Sequence, residues 1–246
     1  MRTTILPDPS AVAHAAADLL ASGVSRGATT LGLATGSSPQ GTYDELARRV
    51  DHGELSLAGC RAFLLDEYVG LPADHPQAYR AVIRHDLVDR VDLDPEHVHG
   101  PDGTAPDLAA EARRYEQQVR DVRIDLQVLG IGRNGHIGFN EPGSPLDSVT
   151  RVVTLTERTR SDNARFFDSP SDVPTEVLTQ GLSTILRAQV LLLIATGEAK
   201  APAVAAALAG PLTPECPASV LQRHPRVEVV LDLGDASLLA LGEAAG

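Results

Sequence analysis

The sequence predicts an α/β protein built on one doubly wound, mostly parallel sheet with helices on both faces. Three observations carry that expectation. Five short apolar runs recur along the chain, amphipathic segments with helical spacing separate most of them, and turns rich in glycine or hydroxyl residues follow several of their ends. A strand that is apolar throughout has no solvent face, so it must be covered on both sides, and helices between successive strands supply the cover. A chain of 246 residues, 43% hydrophobic and 22% charged, can bury one substantial core, so residues 1–246 are expected to form a single domain.

The first run, TTLGLAT near 29 to 35, leads into the helical pattern SPQGTYDELARRV. The second, RAFLLDE near 61 to 67, precedes two more such patterns, HPQAYRAVIRHDLV and APDLAAEARRYEQQVRDV. The third, IDLQVLGI near 124 to 131, enters GRNGHIGFNEPGS, whose glycines and proline oppose regular structure. QVLLLIAT near 189 to 196 is followed by EAKAPAVAAALAG, and VEVVLDL near 227 to 233 closes the series. The stretch FDSPSDVPTE, around 167 to 176, reads as an excursion from the core, and no fixed-period repeat or low-complexity linker is present.

Composition excludes several function classes. The net charge is -12, from 33 acidic against 21 basic residues with no basic block, so nucleic acid and anionic membranes would meet a repulsive field. No window reaches the ~18 to 20 apolar residues of a membrane span, and MRTTILPDPS lacks an apolar signal segment; a cytoplasmic protein is expected. Cys60 and Cys216 are too few for a disulfide framework or a metal cluster and read as ordinary thiols. The expected partner is a small molecule. If that molecule is anionic, the site must create its own positive potential.

In open α/β sheets the ligand lies beyond the carboxyl ends of the strands, near the switch in strand order, so residues after each run are candidates to share one crevice. After the first run come Thr35, Gly36, Ser37 and Ser38, with Pro39 suited to the first helical position. Exposed amides at such a helix start hold phosphate, although the same residues read alone also describe a capped helix after a strand. In FLLDEYVGL, Asp66 falls at the carboxyl end of a buried strand, where lost hydration raises a carboxylate toward use as a general base; a turn-capping role is the alternative. Glu67 supports a neighbour or faces solvent. In the third turn, His136 lies among Gly130, Gly132 and Gly135, with Asn134 and Glu141 close enough in sequence to bond a ring nitrogen and fix its tautomer. A lone loop histidine is usually structural; the flanking glycines, the carboxylate five positions on and the strand-end location favour function here. Cations for a phosphate are offered by Arg165 in NARFFD and by Lys200 in ATGEAK, either of which alone is also an ordinary surface charge.

Taken together, LATGSSP, LLDEYVGL, GIGRNGHIGFNEPGS, ARFFD, ATGEAK and LQRHP resemble the glucosamine-6-phosphate deaminase (isomerase) family, in order from about residue 30 to residue 225. The resemblance implies a Rossmann-like sheet, a hydrolase or isomerase acting on an aminosugar phosphate, and conversion of glucosamine 6-phosphate and water into fructose 6-phosphate and ammonia without metal or organic cofactor. It implies Asp66 as the base at C2, and His136, assisted by Glu141 and Asn134, as the acid/base that opens the sugar ring. It makes Thr35 to Ser38, Arg165 and Lys200 the phosphate cradle, and 151 to 180 a mobile lid. Some members carry Asp where Asn134 stands. Members activated by N-acetylglucosamine 6-phosphate use basic residues after the Asn-Glu-Pro segment; Arg151 fits one, Val153 replaces another, and their C-terminal extension has no counterpart after LGEAAG, so simple kinetics are expected. A homo-oligomer is left open. The rival readings are a 6-phosphogluconolactonase, whose counterpart of the histidine turn lacks FNEP, and a noncatalytic sugar-phosphate sensor, which the acidic charge and the Asp66 and His136 pair disfavour.

Overall fold

Leucine and β-branched side chains with no polar face drive the apolar runs into the centre of a sheet, where all four residues of strands Thr30–Leu33 and Leu126–Leu129 are buried. The computed structural model describes residues 1–239. Its elements in order are β1 (Arg2–Leu6), α1 (Pro9–Ser25), β2 (Thr30–Leu33), α2 (Ser37–Asp51), β3 (Arg61–Leu64), β4 (Asp66–Tyr68), α3 (Tyr79–Asp86), β5 (Val98–His99), α4 (Leu108–Asp121), β6 (Leu126–Leu129), β7 (Arg151–Thr154), α5 (Glu157–Asn163), β8 (Glu176–Thr179), α6 (Leu182–Ile185), β9 (Val190–Ala195), α7 (Ala201–Ala209) and β10 (Val227–Asp232). The closing residues 240–246, on which the expectation of a missing extension rests, lie outside the described residues.

Seven strands form a sheet in the order β1-β10-β9-β6-β2-β3-β5, and every pairing in it is parallel. From β2 the chain winds outward through β3 to β5; from β6 it winds the other way through β9 to β10. The strand order therefore reverses between β2 and β6, which pair through Leu31 with Leu126, and a crevice opens beyond their carboxyl ends. The doubly wound expectation is met. No helix among the described residues is long and apolar enough to cross a membrane.

Two expectations need correction. The N-terminal stretch, assigned no element above, forms β1 and α1, with Asp8 accepting the Ala11 amide at 2.8 Å and Pro9 opening the helix. The run at 61 to 67 is not one strand. Leu65 hands the chain from one sheet to another: its N–H donates to the Leu33 carbonyl at 3.2 Å, while its own carbonyl accepts the Gln180 N–H at 2.8 Å. Asp66 thus begins β4 rather than ending β3. A second sheet, ordered β4-β8-β7 and antiparallel throughout, ties β4 to the 151–180 segment, with Asp66 opposite Thr179. The excursion read at 167 to 176 holds a short helical turn, Pro170–Asp172, and ends at the first residue of β8. A satellite core of Tyr68, Phe139, Leu155 and Val177 lies under this segment, apart from the main core.

Candidate active site

The turn after β2 is locked by Tyr43, whose buried hydroxyl accepts the Ala34 N–H at 3.2 Å and donates to the Ala34 carbonyl at 2.7 Å. Gly36 follows with φ +103°, a left-handed conformation that favours glycine, and it is the residue before α2. Helix α2 therefore starts at Ser37, two residues earlier than Pro39, and neither serine caps it with its side chain. Freed from capping, Ser38 Oγ instead accepts from Lys200 Nζ at 2.5 Å, across 162 positions of sequence. Lys200 stands just before α7, at the end of the short helical turn Glu198–Lys200. Burial pushes its ammonium pKa down, as do the charges of Arg133 and Arg165, while Asp235 and Asp232 oppose them. Arg165 lies with its guanidinium 4.7 Å from the centre of the Phe166 ring. Phe167 packs edge-on to Tyr68 at 5.8 Å, but Phe166 is exposed and anchors nothing in the core.

Asp232 and Asp235, which sequence reading missed, bear on the Lys200 charge. Asp232 Oδ2 accepts the Gly197 N–H at 2.9 Å, and Oδ1 accepts the Asp235 N–H at 2.8 Å. The Asp235 carboxyl is fully buried with neither oxygen hydrogen-bonded, and burial pushes its pKa up to about 7 against the pull of Lys200. A raised native pKa means that the folded state holds a proton the unfolded chain has released, so stability falls as pH rises from the ordinary Asp value to about 7. Asp235→Asn removes that loss. Its melting temperature is expected to gain on the parent by about 5–10 °C between pH 5 and pH 8, roughly 2–3 kcal/mol at about 1.4 kcal/mol per pH unit over the two units below the raised pKa; melting curves that stay parallel across that range would contradict the assignment.

Asp66 is buried, and its carboxyl pKa stands well above the ordinary range, first through lost hydration and then through the neighbouring Glu67 charge, with no hydrogen bond to offset them. Glu67 supports its neighbours rather than facing solvent. It accepts the N–H groups of Tyr68, Tyr79 and Arg80 at 2.9, 2.8 and 2.9 Å, clamping β4 to the start of α3, although burial still raises its own pKa.

The histidine turn closes through Gly132 N–H to the His136 carbonyl at 3.0 Å, and a Cβ on Gly132 would stand 2.3 Å from His136 Cε1. Only glycine leaves the imidazole its place there. Asn134 does not bond the ring as expected: its Nδ2 donates to Glu141 Oε2 at 2.9 Å, and its Oδ1 accepts the His136 backbone N–H at 3.3 Å. Glu141 Oε2 lies 3.9 Å from His136 Nδ1, a buried nitrogen without a hydrogen-bond partner. Burial lowers the His136 pKa, while Glu141 and Asp162 raise it and Lys200 lowers it further. Arg151 bonds back into the same loop, to Asn140 Oδ1 at 2.8 Å and Ser144 Oγ at 3.2 Å.

These pieces meet in a cavity of about 630 Å³ at the switch point, lined by Thr35, Gly36, Ser37, Ser38, Asp66, His136, Arg165 and Lys200. Asn134 and Glu141 are not on its wall and stand behind the imidazole. The 151–180 segment covers one side through Thr159, Asp162, Asn163, Arg165, Phe166 and Phe167. Sequence reading missed Arg133, Thr159, Asp162 and the aromatic wall. Five of the chain's eight Phe and Tyr residues line this one cavity, so their scarcity was the available signal.

A parallel sheet with a switch-point cavity that joins a helix start and two cations to a buried carboxylate and an imidazole defines a class: α/β proteins built to hold a small anion beside acid/base groups. The chain belongs to the family of glucosamine-6-phosphate isomerases and 6-phosphogluconolactonases, whose sequence profile matches residues 7–230. It is 57% identical to the glucosamine-6-phosphate deaminase of Rhodococcus opacus, over 99% of this chain and 94% of that one. Against the deaminase of Mycolicibacterium smegmatis it is 52% identical, covering 98% and 94%. A solved structure described as a monomeric glucosamine-6-phosphate deaminase superposes with a TM-score of 0.94 at 42% identity, covering 97% of this chain and all of that one. The 6-phosphogluconolactonase of Trypanosoma cruzi shares the fold, with a TM-score of 0.77 at 20% identity over 97% of both chains.

Proposed function

We propose that this protein isomerises and deaminates D-glucosamine 6-phosphate, giving D-fructose 6-phosphate and ammonia. The observation that carries the reading is the shared cavity, which Lys200 and Arg165 line together with Asp66 and His136. The phosphate is held by the amides and hydroxyls of Gly36, Ser37 and Ser38 at the start of α2, with Lys200 and Arg165 supplying the positive charge that a chain of net charge -12 otherwise lacks. His136 moves the proton that opens the pyranose, protonating the ring oxygen so that C1 becomes an aldehyde. Asp66 then removes the acidified C2 hydrogen and leaves an enolamine. Reprotonation at C1 gives a ketimine, and water attacks C2 to release ammonia and the ketose. The carbonyl moves from C1 to C2 on an unchanged carbon chain and nitrogen is lost only in the final attack of water, so isomerase and deaminase describe the chemistry more closely than "hydrolase".

The closeness to proteins named deaminases, at 42% to 57% identity, supports this over the lactonase, where the likeness is one of fold. A phosphorylated substrate supports a cytoplasmic location. Residues of one chain line the cavity, so the reading needs no homo-oligomer. In the deciding assay, ammonia release from glucosamine 6-phosphate is measured beside acid release from 6-phosphogluconolactone. Ammonia with a hyperbolic substrate curve, unchanged by N-acetylglucosamine 6-phosphate, is expected. Acid release alone would make the protein a lactonase, and binding without either product would make it a sensor.

A further inference from the structure

Glu141 divides its two carboxylate oxygens between two segments. Oε2 serves the histidine turn, accepting Asn134 Nδ2 and facing His136 Nδ1. Oε1 faces the covering segment, where it accepts a short hydrogen bond from the Thr159 hydroxyl and a longer one, 3.4 Å, from Thr156. Thr159 is itself buried, and Thr156 caps α5 by accepting the Thr159 N–H at 3.2 Å, so both hydroxyls move with that helix. The far end of α5 is tied to the other half of the site, since Asn163 Nδ2 donates to the Tyr68 hydroxyl at 2.9 Å, two residues beyond Asp66.

A carboxylate held at one oxygen can swing about its last side-chain bond; one held at both keeps its plane. We propose that Thr159 is a positioning residue for His136, acting through Glu141, so that the imidazole is oriented for proton transfer when α5 is docked over the cavity. His136 Nδ1 is buried and lacks a hydrogen-bond partner, and Glu141 Oε2 is the carboxylate oxygen that faces it at 3.9 Å, a gap that a small rotation of either group closes. The ring fixed in this way is the one that must hand a proton to the sugar, so binding under α5 and readiness for chemistry are coupled by one side chain. This deepens the proposed deaminase reading and rests on it.

The charges that bear on His136 are Glu141 from its own loop, Asp162 from α5 and Lys200 from the segment after β9. Of these, the Thr159 hydroxyl holds Glu141 alone. Losing it lets the carboxylate turn away from Nδ1, which weakens the pull that keeps the imidazole protonated and moves its titration to lower pH.

The test pairs Thr159→Val, which keeps the shape and removes the hydroxyl, with Thr159→Ser, which keeps the hydroxyl. In Thr159→Val, kcat for ammonia release is expected to fall roughly 10-fold with KM within about twofold of the parent, and the His136 ring nitrogens, followed by ¹⁵N NMR, to titrate at lower pH. Thr159→Ser restores both. A KM increase with kcat and titration unchanged, or no change at all, overturns the proposal and leaves Thr159 a packing residue of the covering segment. Should Thr159→Val not fold, Thr159→Ala replaces it with the same expected outcomes. The titration is read on ligand-free protein and needs no turnover, so it stands even if the parent releases no ammonia from glucosamine 6-phosphate, a result that would overturn the deaminase reading instead.

Discussion

Replacing Asp66 with Asn is expected to lower kcat for ammonia release at least ~10²-fold, about 2.7 kcal/mol of activation free energy, with little change in KM. Asn keeps the size and one carbonyl oxygen, but it cannot accept the C2 proton. The proposed phosphate contacts come from the start of α2, Lys200 and Arg165 and not from Asp66, so binding should survive. Burial and the Glu67 charge raise the Asp66 pKa, and the base works only when ionised. In the parent, kcat/KM should therefore rise with pH through a limb well above the ordinary carboxylate value of ~3.9, and this limb should be lost in the variant. Exchange of the C2 hydrogen with deuterated solvent isolates the step: it stops in Asp66→Asn if this carboxylate is the base. Exchange at the parental rate would remove Asp66 from the mechanism.

His136→Gln should cost ~10² to 10³-fold in kcat, the scale of a missing proton shuttle. Gln approximates the ring's reach and leaves the backbone hydrogen bonds of the turn in place, so the loss reports proton transfer rather than a collapsed loop. Because the closed sugar must open before C2 becomes acidic, this variant should lose C2 exchange as well, although Asp66 is intact. The two variants separate by pH. The limb owed to Asp66 persists in the residual activity of His136→Gln, whereas the one that follows the imidazole, whose pKa burial has lowered, disappears. Activity within about threefold of the parent would end the ring-opening role.

How much of this was legible follows from what each residue's neighbours are. Strands β2, β3, β6, β9 and β10 were readable because a strand buried on both faces writes its environment as a mostly apolar run. β1 was not: it is an edge strand whose first two residues are exposed, and α1 after it is rich in alanine, which marks a helical face weakly. The second sheet was invisible because β4 has three residues and finds its partner more than 100 positions away. In the site, Asp66, His136, Lys200 and the turn at Gly36 were found from strand ends and glycines. The companions of those residues were not. Asn134 looked like a partner of the ring and proved to be a partner of Glu141, and the serines expected to cap α2 lie inside it, behind a Gly36 cap position that has no side-chain hydrogen bond.

The order of apolar and amphipathic segments by itself determined that the chain makes a parallel sheet and which loops gather at its carboxyl edge, because burial and periodicity are encoded locally. Which atoms then meet was decided only in three dimensions. Lys200 reaches Ser38, Glu141 faces both an imidazole and the covering helix, and Asp235 lies buried without a partner because packing brings together segments that no local pattern relates. Hydrogen-bond partners are set by distance and angle within about an ångström, a precision that segment-level hydrophobicity does not carry.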